Sequence, residues 1–206
     1  KLKSKLLRIL FYFRPIRFFL YNYKNFKRLR KFDSLKMSQN SIFIDIGANE
    51  GIISQYIDDK YNCKIEAYEP NPSCFKILEK KFNKRSNVSL FQLAVSNDEK
   101  NKKLFFHLNS KDKNDLNYSQ AASLDQKKEN ISEDNYLDVK CLNIKDILNK
   151  YEKIDCIKID IEGHEYKILP EIIRNRAKIN RVFCELHGAP NSKKNKHLKL
   201  NYEKLI

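Results

Sequence analysis

Two apolar, aromatic-rich stretches open the chain, Leu2 to Phe13 and Ile16 to Phe32, both dotted with Lys and Arg and separated by Pro15. The pattern predicts two basic helices. It then changes. Ile42 to Ile46 is a β-branched run of strand length, followed by a glycine-bearing loop and a helical stretch from Ile52 to Asp59. Lys64 to Glu69 reads as a second strand. Asn71-Pro72 then supplies an N-cap with proline at the first helical position, and Ser73 to Asn83 continues that helix. Val88 to Val95 is a third strand and Leu104 to Leu108 an extra one, whereas 109–135 is rich in Asn, Asp, Lys and Ser and reads as a long mobile loop. Leu137 to Leu142 is strand-like, and Asn143 caps a short helix to Lys150. Ile154 to Asp160, Glu165 to Asn175 and Val182 to His187 follow as strand, helix and strand.

Strands alternating with helices mean a parallel α/β sheet with right-handed crossovers. In such a sheet, ligands bind beyond the carboxyl ends of the strands, where the strand order reverses. Asp45, Glu69, Asp160, Glu162 and Glu185 all fall at those ends. Their common placement says more than any one of them. The expected division is a basic helical segment over 1–34 and an α/β domain over 35–206.

Composition narrows the picture. Hydrophobic residues make up 41% of the 206, enough for an ordinary core. The net charge of +15 is concentrated at the ends: residues 1–31 hold eleven basic side chains and no acidic one, while 32–190 is neutral. The body is therefore no nucleic-acid clamp. No apolar run is long enough to span a membrane as a helix, and the interrupted N-terminal stretch lacks a signal-peptide cleavage site. Five cysteines without C-x-x-C spacing exclude a disulfide scaffold and a cysteine zinc site and favour a reducing compartment. The chain holds only four glycines, where average usage of about 7% would give roughly 14. They should sit only where a Cβ cannot be tolerated.

Two of them, Gly47 and Gly51, lie in Asp45-Ile46-Gly47-Ala48-Asn49-Glu50-Gly51, which leaves a strand and enters a helix. Such a loop brings backbone close to a ligand and offers free N–H groups; a plain tight turn is the bland alternative. The spacing is neither the dinucleotide nor the phosphate-loop fingerprint. Glu69, 24 residues after Asp45, ends the second strand, where a carboxylate can accept both hydroxyls of a ribose. A ribose acceptor without a diphosphate fingerprint points to a nucleoside that carries no phosphates.

Taken together, Asp45–Gly51, the Glu69-Pro70-Asn71-Pro72 turn, Ala94-Val95-Ser96 and Lys158-Ile159-Asp160-Ile161-Glu162-Gly163-His164-Glu165 resemble the FkbM-type S-adenosylmethionine-dependent methyltransferases over roughly residues 41–187. The resemblance implies a Rossmann-like class I methyltransferase sheet with flanking helices. It also implies that the loop carrying Asp45, Gly47, Asn49 and Gly51 wraps the methionine portion of S-adenosylmethionine. Glu69 would hold the ribose, with Pro70 and Asn71 in the same turn, and Gln92 and Ala94 would flank the adenine. Two further closing strands are not legible after His187, so the reading is of a truncated chain or a short sheet.

Methyl transfer to a hydroxyl needs an in-line nucleophile and a base within hydrogen-bond reach. Asp160, Glu162, His164 and His187 are the candidates, with Asp160, Glu162 and His187 set foremost. Glu165 reads as a helix-starting residue that favours the dipole, and His164 as a surface residue of the turn. Glu185 and His187 flank Leu186 and so share one face. No metal is expected, because two carboxylates beside a cationic sulfonium need none. The expected function is O-methylation of a sugar, glycan or other small hydroxyl acceptor. Expected surroundings are cytoplasmic, with no nucleic-acid partner; residues 1–31 read either as helices that cap the sheet or the acceptor pocket, or as an interfacial pair in peripheral contact with an anionic inner membrane face. A nucleic-acid methyltransferase and a non-catalytic membrane-surface protein that retains cofactor binding are the competing readings.

Overall fold

The computed structural model describes residues 28–112, 115–126 and 130–187. It divides into two compact units, 1–36 and 37–206. In the first unit, described from residue 28, a helical end gives way to turns closed by Phe32 N–H on Leu29 O and Asp33 N–H on Arg30 O. The rest of the two expected basic helices, and with them the lipid-facing reading of residues 1–31, lies outside the described residues.

In chain order the second unit contains β1 (Ile42–Ile46), α1 (Ile52–Tyr61), β2 (Lys64–Tyr68), α2 (Pro72–Phe82), β3 (Val88–Phe91), β4 (Ala94–Ser96), β5 (Lys102–His107), a 3-10 turn (Leu116–Ala121), β6 (Ile131–Val139), β7 (Cys141–Asn143), α3 (Ile144–Asn149), β8 (Cys156–Ile159), α4 (Glu165–Arg174), a second 3-10 turn (Arg176–Lys178) and β9 (Val182–Cys184). The main sheet is parallel throughout, in the order β3-β2-β1-β8-β9. This is the doubly wound arrangement the alternating pattern predicts. Strands β1 and β8 read as near-continuous apolar runs because both faces of a parallel sheet are covered. Ile44, Ile46, Ile157 and Ile159 are fully buried and share a cluster with Ile144, Ile147 and Leu148 of α3 and Ile168, Leu169 and Ile172 of α4. Each such side chain contributes about 1.5–3 kcal/mol when removed from water. The helix starts follow local chemistry. Asn71 caps α2 by accepting from Ser73 N–H at 3.0 Å, and Asn143 caps α3 by accepting from Lys145 N–H at 3.1 Å.

Three sequence expectations are corrected. The run from Val88 to Val95 is two strands: β3 stays in the main sheet, while β4 leaves it after Leu93 to pair in parallel with β7. Leu137 to Leu142 likewise divides between β6 and β7 at Lys140. The expected mobile loop over 109–135 is largely built structure. Strand β6 begins at Ile131 and pairs antiparallel with β5, Ser123 bridges Phe105, and a 3-10 turn lies between. The alternation was hidden by a register shift between the two strands, in which the two steps from Phe105 to His107 on β5 face five from Tyr136 to Ile131 on β6. The pair nonetheless buries Leu104, Phe106 and Val139 with Ala94 and Cys141. No helix among the described residues is long and apolar enough to cross a membrane. Residues after His187, where the closing strands would be sought, lie outside the described residues.

Candidate functional site

The chain winds from β1 through β2 to β3 on one side and places β8 and β9 on the other, so the order reverses between β1 and β8. Loops leaving adjacent strands at such a point diverge and open a crevice beyond the carboxyl ends. The loops after β1, β2 and β8 that meet there carry most of the residues singled out from sequence.

Asp45 and Lys158 are register partners on β1 and β8. Both are buried. Asp45 Oδ2 accepts from Ser54 Oγ of α1 at 2.6 Å, and its Oδ1 lies 3.0 Å from the Lys158 ammonium, an ion pair without hydrogen-bond alignment. Lys158 also donates to the carbonyl of Gly47 and stands 3.9 Å from Asp160 Oδ2. Its four-carbon stem thus runs inside the sheet and delivers one charge under the first loop. Asp45 anchors that loop from below. Sequence reasoning passed over Lys158, although a lysine inside an otherwise apolar strand was the available signal, since lysine is rarely buried unless paired.

Gly47 has φ +79°, and a Cβ there would lie 2.0 Å from the carbonyl oxygen of Asp160. The close approach inferred from sequence is real, but the neighbour is the backbone at the end of β8. A Cβ on Gly51 would meet Leu78 and Phe82 of α2, so that glycine serves helix packing.

Glu69 ties the first two loops together. Its Oε2 accepts from Asn49 N–H and its Oε1 from Asn71 N–H, both at 2.8 Å. Burial pushes its carboxyl up to about 7, against the pull of those two N–H groups. The Asn49 side chain reaches Ser119 Oγ at 3.3 Å, and Ser123 Oγ donates to the carbonyl of Glu162 at 2.6 Å. The segment between β5 and β6 therefore holds the first loop with one serine and the loop after β8 with another. Neither serine was found from sequence, although the pair stands four apart. Pro70 and Asn71 complete the turn after β2. Gln92 is exposed in the break between β3 and β4, and Ala94 packs into the apolar cluster beneath.

Beyond β8, Asp160, Glu162, Glu165 and Glu185 converge on His187. Its Nδ1 is 3.1 Å from Glu165 Oε1 and 4.0 Å from Asp160 Oδ1; its Nε2 is 3.6 Å from Glu162 Oε1 and 3.7 Å from Glu185 Oε1. The hydrogen bond to Glu165 raises the imidazole pKa; burial opposes this, and the charges of Glu162, Glu165 and Asp160 add to it. Asp160, Glu162 and His187 can each turn one ligand atom to a common point, with all three within 4.8 Å of one another. They are the residues that could hold a divalent cation. The same acidic concentration suits an organic cation equally well.

His164 is not a surface residue. It is 7% exposed, its Nε2 lies 2.9 Å from Ser96 Oγ, and burial, aided by Lys102 and Lys167, lowers its pKa to about 4. Stability from neutral His164 is present above about pH 6.5 and is lost as pH falls toward 4, because the unfolded chain takes the proton first. Glu69 works in the opposite sense. The folded state keeps its proton longer, so stability is lost as pH rises from 4.5 toward 7. In denaturant titrations between pH 4.5 and 6.5, Glu69→Ala should gain stability with rising pH and His164→Gln should lose it. Identical trends in the two variants would refute these assignments.

A family model described as the methyltransferase FkbM domain matches residues 45–202. Among curated proteins, methyltransferase sdnD of Sordaria araneosa is 28% identical over 176 residues, covering 70% of this chain and 68% of that protein. Among solved structures, precorrin-6y C5,15-methyltransferase from Geobacter metallireducens is similar over 86% of this chain and 69% of its own, at 14% identity and TM-score 0.47. P. horikoshii TYW2 in complex with MeSAdo matches 32% of this chain, which spans about a quarter (26%) of it, at 21% identity and TM-score 0.29. At those scores the strand order, and not the superposition, defines the fold.

Proposed function

Because this chain belongs to the FkbM methyltransferase family, whose methyl donor is S-adenosylmethionine, we propose that it methylates a hydroxyl group of a sugar, glycan or other small acceptor. The observation that carries this reading is the pairing of two sites at one end of the sheet: the Glu69 turn and the carboxylate ring around His187. Bound S-adenosylmethionine supplies an electrophilic methyl on a sulfonium. The described residues fit such a ligand. Each Glu69 oxygen accepts one backbone N–H and keeps a second lone pair for a ribose hydroxyl. Asp160, Glu162 and Glu185 place negative charge where a cation is to be held, with Lys158 already paired to Asp45. The same charge repels anionic acceptors, and the neutral balance of 32–190 argues against a nucleic acid. Asp160, Glu162 and His187 are the groups able to position the acceptor hydroxyl and take its proton.

Glu69→Ala should weaken binding of S-adenosylhomocysteine by about 1.5–3 kcal/mol, roughly ten- to hundredfold, since it removes hydrogen bonds to a charged acceptor. Unchanged affinity of a folded variant would overturn the ribose assignment. The function itself is tested by incubating the full chain with methyl-labelled S-adenosylmethionine and cell-envelope polysaccharide, with and without chelator. Label in a base-stable ether, formed equally in chelator, is the expected result. Label in nucleic acid, or transfer abolished by chelator and restored by Mg²⁺, contradicts the acceptor class or the metal-free reading respectively.

A further inference from the structure

Resting on that reading, we infer that His187 Nε2 is the base that takes the acceptor hydroxyl proton and that Glu165 is the positioning residue that keeps this nitrogen bare. Glu165 is fully buried at the first position of α4. A residue that only favoured the helix dipole would have no need of such burial. Its carboxylate accepts from Ile161 N–H at 3.1 Å and from Gly163 N–H at 3.0 Å, which fold the loop after β8 back onto the helix. The remaining partner is His187 Nδ1, 3.1 Å from Glu165 Oε1. An ionised carboxylate has no proton to give, so Nδ1 must be the donor, and the neutral ring then carries its lone pair on Nε2. Among the described residues no group donates to Nε2. The carboxylate oxygens of Glu162 and Glu185 stand at 3.6 and 3.7 Å, beyond hydrogen-bond distance, and carry no donor when ionised.

The competing bases are weaker for stated reasons. Asp160 is already engaged, its Oδ2 standing 3.9 Å from the Lys158 ammonium and its Oδ1 4.0 Å from His187 Nδ1. Glu162 is a carboxylate, and a carboxylate is a poorer acceptor for a hydroxyl proton near neutral pH than an imidazole. The charges facing His187 are Asp160 from the end of β8, Glu162 from the loop, Glu165 from α4 and Glu185 beyond β9, with Lys158 the nearest cation behind Asp160. All four neighbours stabilise an imidazolium. In the step, the acceptor oxygen forms a bond to the methyl carbon with its own electron pair. The carbon–sulfur pair stays with sulfur as a neutral thioether, and the hydroxyl proton passes to Nε2 and later to solvent.

Long-range nitrogen–proton NMR of the histidine rings in the full chain, with and without S-adenosylhomocysteine, reads the tautomer without any acceptor. Neutral His187 is expected as the Nδ1–H form. In Glu165→Gln the amide oxygen is taken up by Ile161 N–H and Gly163 N–H and the amide nitrogen can donate to Nδ1, so the neutral ring should shift toward the Nε2–H form. An Nε2–H ring in the unsubstituted chain overturns the inference, whether or not Glu165→Gln folds, and so does an unchanged tautomer ratio in a folded variant. For the proton step, His187→Gln should bind S-adenosylhomocysteine within about twofold of the parent yet lose methyl transfer to the polysaccharide fraction by 10²–10⁴-fold. A retained rate removes His187 as base and leaves the methyltransferase reading standing. Failure of the unsubstituted chain to bind S-adenosylhomocysteine would strike that reading and leave the tautomer result as it is.

Discussion

Lys158→Met should destabilise the protein by about 3–5 kcal/mol, the cost of leaving a buried charge without its partner. The residue left behind is Asp45, fully buried, with Ser54 on one oxygen and, among the described residues, no hydrogen-bond donor on the other once the ammonium is lost. Methionine replaces the stem well enough that packing loss is small, so the effect isolates the charge. The carbonyl of Gly47 loses its donor at the same time, which loosens the loop on the ligand side. A second substitution, Asp45→Asn, removes the orphaned charge and should recover much of the loss. The two changes couple because they share one contact. Urea unfolding at pH 7 of both single variants and the double variant gives the cycle. Additive losses would mean that the pair is a bystander in an otherwise apolar sheet.

Gly47→Val carries the other large effect, about 2–6 kcal/mol. A β-branched residue at φ +79° contributes backbone strain of about 1–3 kcal/mol, and forcing atoms into a filled site adds about 1–3 kcal/mol. The atom in the way is the Asp160 carbonyl oxygen, 2.0 Å from where the Cβ would lie, and backbone cannot rotate aside. Gly163 supplies the control. Its φ is +112°, yet the nearest atom to a Cβ there is 3.7 Å away, so Gly163→Ala should show the strain without the clash. Thermal unfolding should place Gly47→Ala well below Gly163→Ala. The reverse order would show that the first loop yields more easily than its contact with β8 implies.

The main sheet was legible because its central strands, β1 and β8, are buried on both faces and read as near-continuous apolar runs. Each loop after β1, β2 and β8 also announced itself with a glycine or an Asn-Pro cap. The pairing of β5 with β6 was not legible, since a register shift broke the alternation and polar residues of the intervening segment outweighed Leu104 and Phe106. At the site, the positions of the carboxylates could be read from strand ends, but their partners could not. Lys158 lies beneath Asp45 only through a register that 112 residues of intervening chain bring about. Glu165 looks like an ordinary helix start until the return of the chain after β9 sets His187 against it. His164 was misplaced for a similar reason: Ser96, its partner, sits on a strand that sequence alone had merged with its predecessor.

Calorimetric titration of the full chain with S-adenosylhomocysteine and, separately, with NAD tests the central claim most directly, that the crevice between β1 and β8 holds a phosphate-free nucleoside sulfur ligand. Saturable single-site binding of S-adenosylhomocysteine in the micromolar range, weakened roughly ten- to hundredfold by Glu69→Ala and absent for NAD, is the predicted result. Binding of NAD at the same site, or no binding of S-adenosylhomocysteine by the folded protein, would contradict it.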